Sequence, residues 1–177
     1  MKIKVSLNSA SIDDAIKQIE AYQQKVERAG EYIAKRLSDM GFEVAVQIIN
    51  AHYFSGATAE SLTCIEQGKG RYIIYAQSKA ILFLEFGAGA KYGYGHPMAK
   101  KFGMGPGTYP SKSKRGNQYQ NPNGWWFPTD DPLLIRKTGS DGQGYGHSYG
   151  NAPHMPFYLA DREMRDNILK VAKEALA

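Results

Sequence analysis

SIDDAIKQIEAYQQKVERAGEYIAKRLSDMGFEV, residues 11–44, decides the fold of this 177-residue chain. Positions 12, 16, 19, 23, 26, 30, 33, 37, 40 and 44 are separated by alternating steps of four and three. They read Ile, Ile, Ile, Gln, Val, Gly, Ile, Leu, Met and Val, so eight of the ten are apolar. Such a stripe predicts one long amphipathic helix. Ser11-Ile12-Asp13-Asp14 has the spacing of a capping box at its start, with Asp14 where Glu or Gln is usual. Gly30 and Gly41 are the places where it could bend or divide. The helical signal fades by Tyr53-Phe54-Ser55-Gly56. A stripe this long can pair with a second copy as a coiled coil or seat on a sheet of its own chain. The second use is commoner and is the expectation.

Strands follow. Leu62-Thr63-Cys64-Ile65-Glu66 alternates in polarity, Gln67-Gly68-Lys69-Gly70 reads as a turn, and Arg71-Tyr72-Ile73-Ile74-Tyr75-Ala76 is rich in β-formers, which together predict a hairpin. Ala80-Ile81-Leu82-Phe83-Leu84-Glu85-Phe86 is apolar almost throughout. It fits a buried core strand or a short helix, ended by Gly87-Ala88-Gly89. Residues 90–152 are loop-like in composition. They contain the cluster Gly124-Trp125-Trp126-Phe127-Pro128, which if extended would send Trp125 and Trp126 to opposite faces. So long a loop is uncommon in a compact domain, so it should hold a strand near Trp125, order on assembly or contact a partner. Pro156 then opens a terminal helix whose apolar positions are Phe157, Ala160, Met164, Ile168, Val171 and Ala175. Asp161 and Glu163 near its start and Lys170 and Lys173 near its end suit the helix dipole.

The formal net charge is +5, and all of the excess lies in residues 87–157, where eight Lys or Arg meet three Asp or Glu. That segment also holds 14 of the 19 glycines and all eight prolines. A basic, aromatic stretch can bind nucleic acid. The solvated-loop reading is preferred, because the lysines are scattered and no nucleic-acid motif accompanies them. No apolar run approaches the roughly 20 residues of a membrane helix. Met1-Lys2-Ile3-Lys4-Val5-Ser6-Leu7-Asn8 lacks the apolar core of a signal peptide, so synthesis in a cytoplasm is expected. The single Cys64 cannot form an internal disulfide and reads as a buried structural thiol.

Three segments together carry a resemblance. Ser55-Gly56 after the long helix, Glu85-Phe86-Gly87-Ala88-Gly89, and Pro153-His154-Met155-Pro156-Phe157 before the last helix resemble, in order and spacing, the gp-ten-like tail-component family of long-tailed bacteriophages. Ala88 stands where that family usually has threonine, His154-Met155 where small or basic residues are common, and residues 90–152 form a long insert. The resemblance spans roughly residues 11–177 outside most of the insert. It implies a head–tail joining or tail-completion protein found in the virion. Subunits would form a ring, commonly hexameric, between tail-tube and head-connector proteins, with no cofactor, no membrane and no specific nucleic-acid ligand. The residues it marks are Glu85, Phe86, Gly87, Gly89, Trp125, Trp126, Phe127, Pro153, Pro156 and Phe157. Without the family, the same motifs serve shape. The glycines permit a sharp turn, the prolines direct the chain into the last helix, and Glu85 is placed to contact a loop amide or a neighbouring subunit.

An enzyme reading has thinner support. His96 and His147 lie in matching Tyr-Gly-His segments, with Asp130, Asp131 and Asp141 nearby as further metal ligands. No His-x-x-x-His, Gly-x-Ser-x-Gly or phosphate loop accompanies them, and loop-packing histidines are the preferred reading. The expectation is therefore an α+β fold in a single domain, residues 1–177. A long N-terminal helix and a C-terminal helix would pack on a small, mostly antiparallel β-sheet, with residues 90–152 as a loop-rich insert. The expected work is structural, with a nucleic-acid-binding module as the alternative and a metal-dependent enzyme third.

Overall fold

The computed structural model describes residues 3–6, 8–52, 61–78, 80–110 and 116–177. Tyr53-Phe54-Ser55-Gly56, and with it the Ser-Gly motif, lies outside the described residues, as do Lys112, Lys114 and Arg115. The fold is α+β. Helix α1 spans Ser9–Ala51, strands β1 and β2 are Leu62–Glu66 and Tyr72–Ala76, and short helices α2 and α3 are Ile81–Phe86 and Ala99–Phe102. Strands β3 (Trp125–Pro128), β4 (Lys137–Thr138) and β5 (Gly144–Ser148) precede the terminal helix α4, Pro156–Leu176. The sheet expected from the sequence is two sheets: β1 beside β2, and β3-β5-β4. The chain divides into two compact units: Met1–Val44, Thr63–Tyr75 and Ala160–Ala177 form one, and Ala45–Leu62 and Ala76–Leu159 form the other. Residues 90–152 make up most of the second unit.

In the first unit, α1 starts at Ser9, two residues before the expected capping box. Asn8 supplies the cap, its Oδ1 accepting from Ser11 N at 2.8 Å, while Ser11 Oγ accepts from Ser6 N. Neither glycine divides the helix. Gly41 instead permits close approach, since a Cβ there would stand 2.8 Å from Met164 Sδ of α4 and 3.2 Å from Ile74 Cδ1 of β2. The hairpin closes as its turn residues predict, with Gln67 N donating to Arg71 O at 2.8 Å. Cys64 is half-buried rather than buried. α4 packs through Ala160 and Val171, each 2% exposed, and ends level with Lys25, whose Nζ donates to Leu176 O at 3.1 Å. Ile168, expected on the packed stripe, is exposed.

The expectation that α1 seats its whole stripe within the chain holds only for its later part. Ile33, Leu37, Met40 and Val44 are half-buried. Ile12, Ile16, Ile19 and Val26 are 44–55% exposed, although Ala15 among them is 8% exposed.

In the second unit the strand alternation separates the tryptophans. Trp125 is buried with Ala88 and Tyr109, against Phe83, Met104, Tyr119 and Phe127, while Trp126 stays 45% exposed. The rings meet edge to face: Phe83 to Tyr109 at 4.6 Å and Tyr119 to Trp125 at 5.1 Å. The Tyr109 hydroxyl donates to Gly87 O, with Leu82 O at 3.2 Å as a second acceptor. Burial pushes its pKa up to about 12. A pKa raised on folding stabilises fully below the unfolded value near 10. That contribution is lost as pH rises through the folded value. In an alkaline titration followed by tyrosine absorbance, one group should ionise last, near pH 12. Tyr109→Phe should remove that step and cost about 1–3 kcal/mol, because the Gly87 carbonyl loses its donor. An unchanged titration curve would count against this placement.

Candidate functional site

The apolar run 80–86 forms a short helix rather than a strand, and its carboxyl end is the centre of the second unit. A helix leaves its last carbonyls without partners. Here Phe83 O accepts from Asn151 Nδ2 at 2.8 Å and from Gly87 N, while Leu84 O accepts from His154 N at 2.8 Å and Met155 N at 3.3 Å. Ala88 and Asn151 exchange both backbone hydrogen bonds at 2.9 Å. The two segments approach so closely that a Cβ on Gly87 would lie 2.8 Å from Pro153 Cδ. Gly87 also has φ +76°, the left-handed region open to glycine.

Glu85 completes this junction. It is 6% exposed, and its carboxylate receives Phe157 N at 2.8 Å (Oε2) and Tyr158 N at 3.0 Å (Oε1), the free amides of the first turn of α4. The first turn of α4 carries no acid of its own. Glu85, from 72 residues away, supplies the negative charge that the dipole and the free amides favour. His96, 7% exposed, is the third partner. Its Nδ1 accepts from Met98 N at 3.1 Å, which puts the ring proton on Nε2, and Nε2–H donates to Glu85 Oε1 at 3.0 Å. Phe86 and Tyr158 pack against the His96 ring at 4.5 and 5.4 Å. The Glu-Phe-Gly-Ala-Gly and Pro-His-Met-Pro-Phe segments therefore meet in one buried cap-and-carbonyl junction. Its polar atoms are engaged with one another.

Of the ten residues singled out in the sequence, Trp126 alone is exposed. Glu85, Phe86, Gly87, Gly89, Trp125 and Pro156 are buried, and Phe127, Pro153 and Phe157 are partly so. The sequence reading missed His96, Tyr109 and Asn151 as partners of this junction, which only the fold brings near α2. It also missed most of the exposed surface. On the outer face of the three-stranded sheet, Trp126 packs beside His147 at 4.6 Å, and His147 beside Tyr149 at 4.8 Å. Lys137 Nζ stands 4.0 Å from the Trp126 ring centre and 5.6 Å from that of Tyr145. Tyr92, Tyr94, Phe102, Leu133 and Tyr149 are each more than half exposed. Among the described residues no three His, Cys, Asp or Glu side chains are grouped to hold a metal ion. His96 is taken up by Glu85 and His147 by its aromatic neighbours. No described helix is long and apolar enough to cross a membrane.

His154 stacks on His52 at 3.6 Å between ring centres. Burial, and then His52, lowers its pKa. With the folded value below the ordinary 6.5, the unfolded chain takes up the proton first. Stability held above pH 6.5 or so is therefore lost as pH falls from there toward the folded value. The urea midpoint should drop between pH 7.5 and pH 5.5, and His154→Gln should shrink that drop. An identical drop in the variant would contradict the assignment.

The chain matches no protein family, no curated protein and no solved structure.

Proposed function

We propose that this chain is a non-enzymatic structural subunit of a tailed bacteriophage or prophage. It would be a neck or tail-completion component that assembles into a ring joining tail tube to head connector. The observation that carries the reading is the kind of surface the fold presents. Its motif carboxylate and histidine are used up in a buried junction, while Tyr92, Tyr94, Phe102, Trp126, Leu133 and Tyr149 stand exposed. Aromatic and large apolar side chains are what protein interfaces are built from, and contiguous exposed patches of them mark association sites. The work of such a subunit is specific contact rather than turnover.

Light scattering and electron microscopy of the pure protein, with and without purified tail tubes, test the reading. The expected result is a monomer or weak oligomer that becomes a ring, sixfold by the family resemblance, at high concentration or on tail tubes. A protein that stays monomeric and never joins tails would contradict it. The basic residues Lys100, Lys101, Lys112, Lys114, Arg115, Arg136 and Lys137 would then meet an acidic neighbour, where charge chiefly sets association rate. Neutralising Lys112, Lys114 and Arg115 together should slow joining and leave folding intact. The nucleic-acid alternative predicts instead a submicromolar DNA affinity that falls steeply with salt and is abolished by that triple change. One face of Trp126 is already engaged by Lys137, which leaves less of it for a base to stack on.

A further inference from the structure

We propose that the outer face of the three-stranded sheet, formed by Trp126, Lys137, Tyr145, His147 and Tyr149, is the contact site for an acidic segment of a partner protein, whose carboxylate pairs with Lys137. The inference deepens the structural reading and rests on it, since that reading supplies tail tubes and head connectors as the partners.

Gly144-Tyr145-Gly146-His147-Ser148 alternates small and large residues, so Tyr145 and His147 project from one side of β5 and the glycines lie on the other. The inner side has no room for more. A Cβ on Gly144 would stand 2.6 Å from Ile135 Cδ1, and one on Gly146 would stand 2.5 Å from the Phe127 ring. Trp126 of β3 lies opposite His147, and Lys137 of β4 lies opposite Tyr145. Tyr149, just past the strand, packs on His147. The five side chains form one strip in the order Tyr149, His147, Trp126, Lys137, Tyr145, with successive separations of 4.8, 4.6, 4.0 and 5.6 Å. Strand pairing already holds most of the strip in place, which lowers the ordering cost of a contact there.

Lys137 indicates what covers the strip. Residues 76–159 hold nine Lys or Arg and four Asp or Glu. Each of those acids is engaged elsewhere: Glu85 in the buried junction, Asp130 and Asp141 with Gln143, and Asp131 with Leu133 N. Among the described residues Lys137 therefore meets aromatic rings but no carboxylate, and the Trp126 indole N–H and the Tyr149 hydroxyl have no hydrogen-bond partner. A purely apolar partner would bury that ammonium and indole N–H unpaired, which is costly. Single-stranded nucleic acid needs ring faces open in series. Here the Trp126–His147 and His147–Tyr149 rings stand at 64° and 75° to one another, and Lys137 covers one face of the indole. A protein segment with Asp or Glu among apolar side chains satisfies both the cation and the rings. Trp and Tyr are also among the residues most enriched at the energetic centres of protein contacts.

The test measures binding of the full chain to purified tail tubes and head connectors. Trp126→Ala and Lys137→Glu should each raise the dissociation constant by about tenfold or more. Lys137→Arg, which keeps the charge, should stay within about threefold of the parent. Tyr149→Ala repeats the test outside the strand, and the urea midpoint of each variant separates a lost contact from a lost fold. Leu169→Ala, an exposed apolar change on α4, should leave binding unchanged. Lys137→Glu binding as tightly as the parent would overturn the proposal, as would equal losses with Lys137→Arg and Lys137→Glu. Submicromolar binding of single-stranded oligo-dT, lost with Trp126→Ala, would assign the strip to nucleic acid and overturn it too. So would a Trp126→Ala variant that dissociates the pure protein but binds tubes and connectors normally, which would assign the strip to a second copy. If the strip variants join tails like the parent, this proposal alone fails. If the parent binds neither tubes nor connectors, the structural reading fails with it.

Discussion

Replacing Glu85 by alanine is expected to lower the unfolding free energy by about 3–5 kcal/mol, because three buried donors lose their shared acceptor at about 1–3 kcal/mol each. That is a large part of the roughly 5–15 kcal/mol that holds a typical domain together. The change removes the acceptor for Phe157 N, Tyr158 N and His96 Nε2–H at once, in a place nearly closed to water. Glu85→Gln keeps the shape but offers one carbonyl oxygen to three donors and turns an NH2 toward one of them. It should still cost about 2–3 kcal/mol. Urea denaturation followed by circular dichroism reads both. A glutamine variant within about half a kcal/mol of the parent would show that the carboxylate is not the cap of α4.

The second large effect separates helix from strand in the 80–86 run. Leu84 is 0% exposed and Phe86 8%, whereas Leu82 is 44% exposed. Leu84→Ala should cost about 2–5 kcal/mol and Phe86→Ala about 3–5 kcal/mol, the transfer and cavity penalties of core truncation. Leu82→Ala should stay within roughly half a kcal/mol, as an exposed change does. In a strand, Leu82 and Leu84 would share a face and respond alike. Equal losses at the two positions would therefore contradict the helical assignment.

Much of the architecture is legible before any coordinates, because periodicity reports burial. The long helix, the hairpin around Gly68 and Gly70, a strand at Trp125 and the start of α4 at Pro156 all follow from local pattern. Where the sequence misleads, a distant contact decides. Ser11-Ile12-Asp13-Asp14 looks like a capping box, but Asn8 takes the cap, since its side chain reaches Ser11 N and frees Ser11 Oγ to hold Ser6 N. The run at 80–86 is too short and too apolar for its period to choose between helix and strand. Its exit at Gly87 and the closing of its carbonyls by residues 151–155 make it a helix.

The candidate site was readable only as a set of shapes. Glu85, the glycines and the prolines stand out in the chain, yet nothing local says that the carboxylate caps a helix beginning 71 residues later at Pro156. His96 is equally opaque: its matching context with His147 suggests a metal pair, but one ring is buried against Glu85 and the other lies among exposed aromatics. The exposure of Ile12, Ile16 and Ile19 is invisible in the same way. The stripe is as regular there as in its half-buried part, and only the exposures tell the two apart.

Quantitative mass spectrometry of tailed particles purified from a host carrying this gene decides whether the chain is a virion subunit. The chain is expected at a small, constant number of copies per particle, six on the family resemblance, in complete virions or finished tails. Its absence from particles that are otherwise complete, with the protein remaining in the cleared lysate, would contradict it.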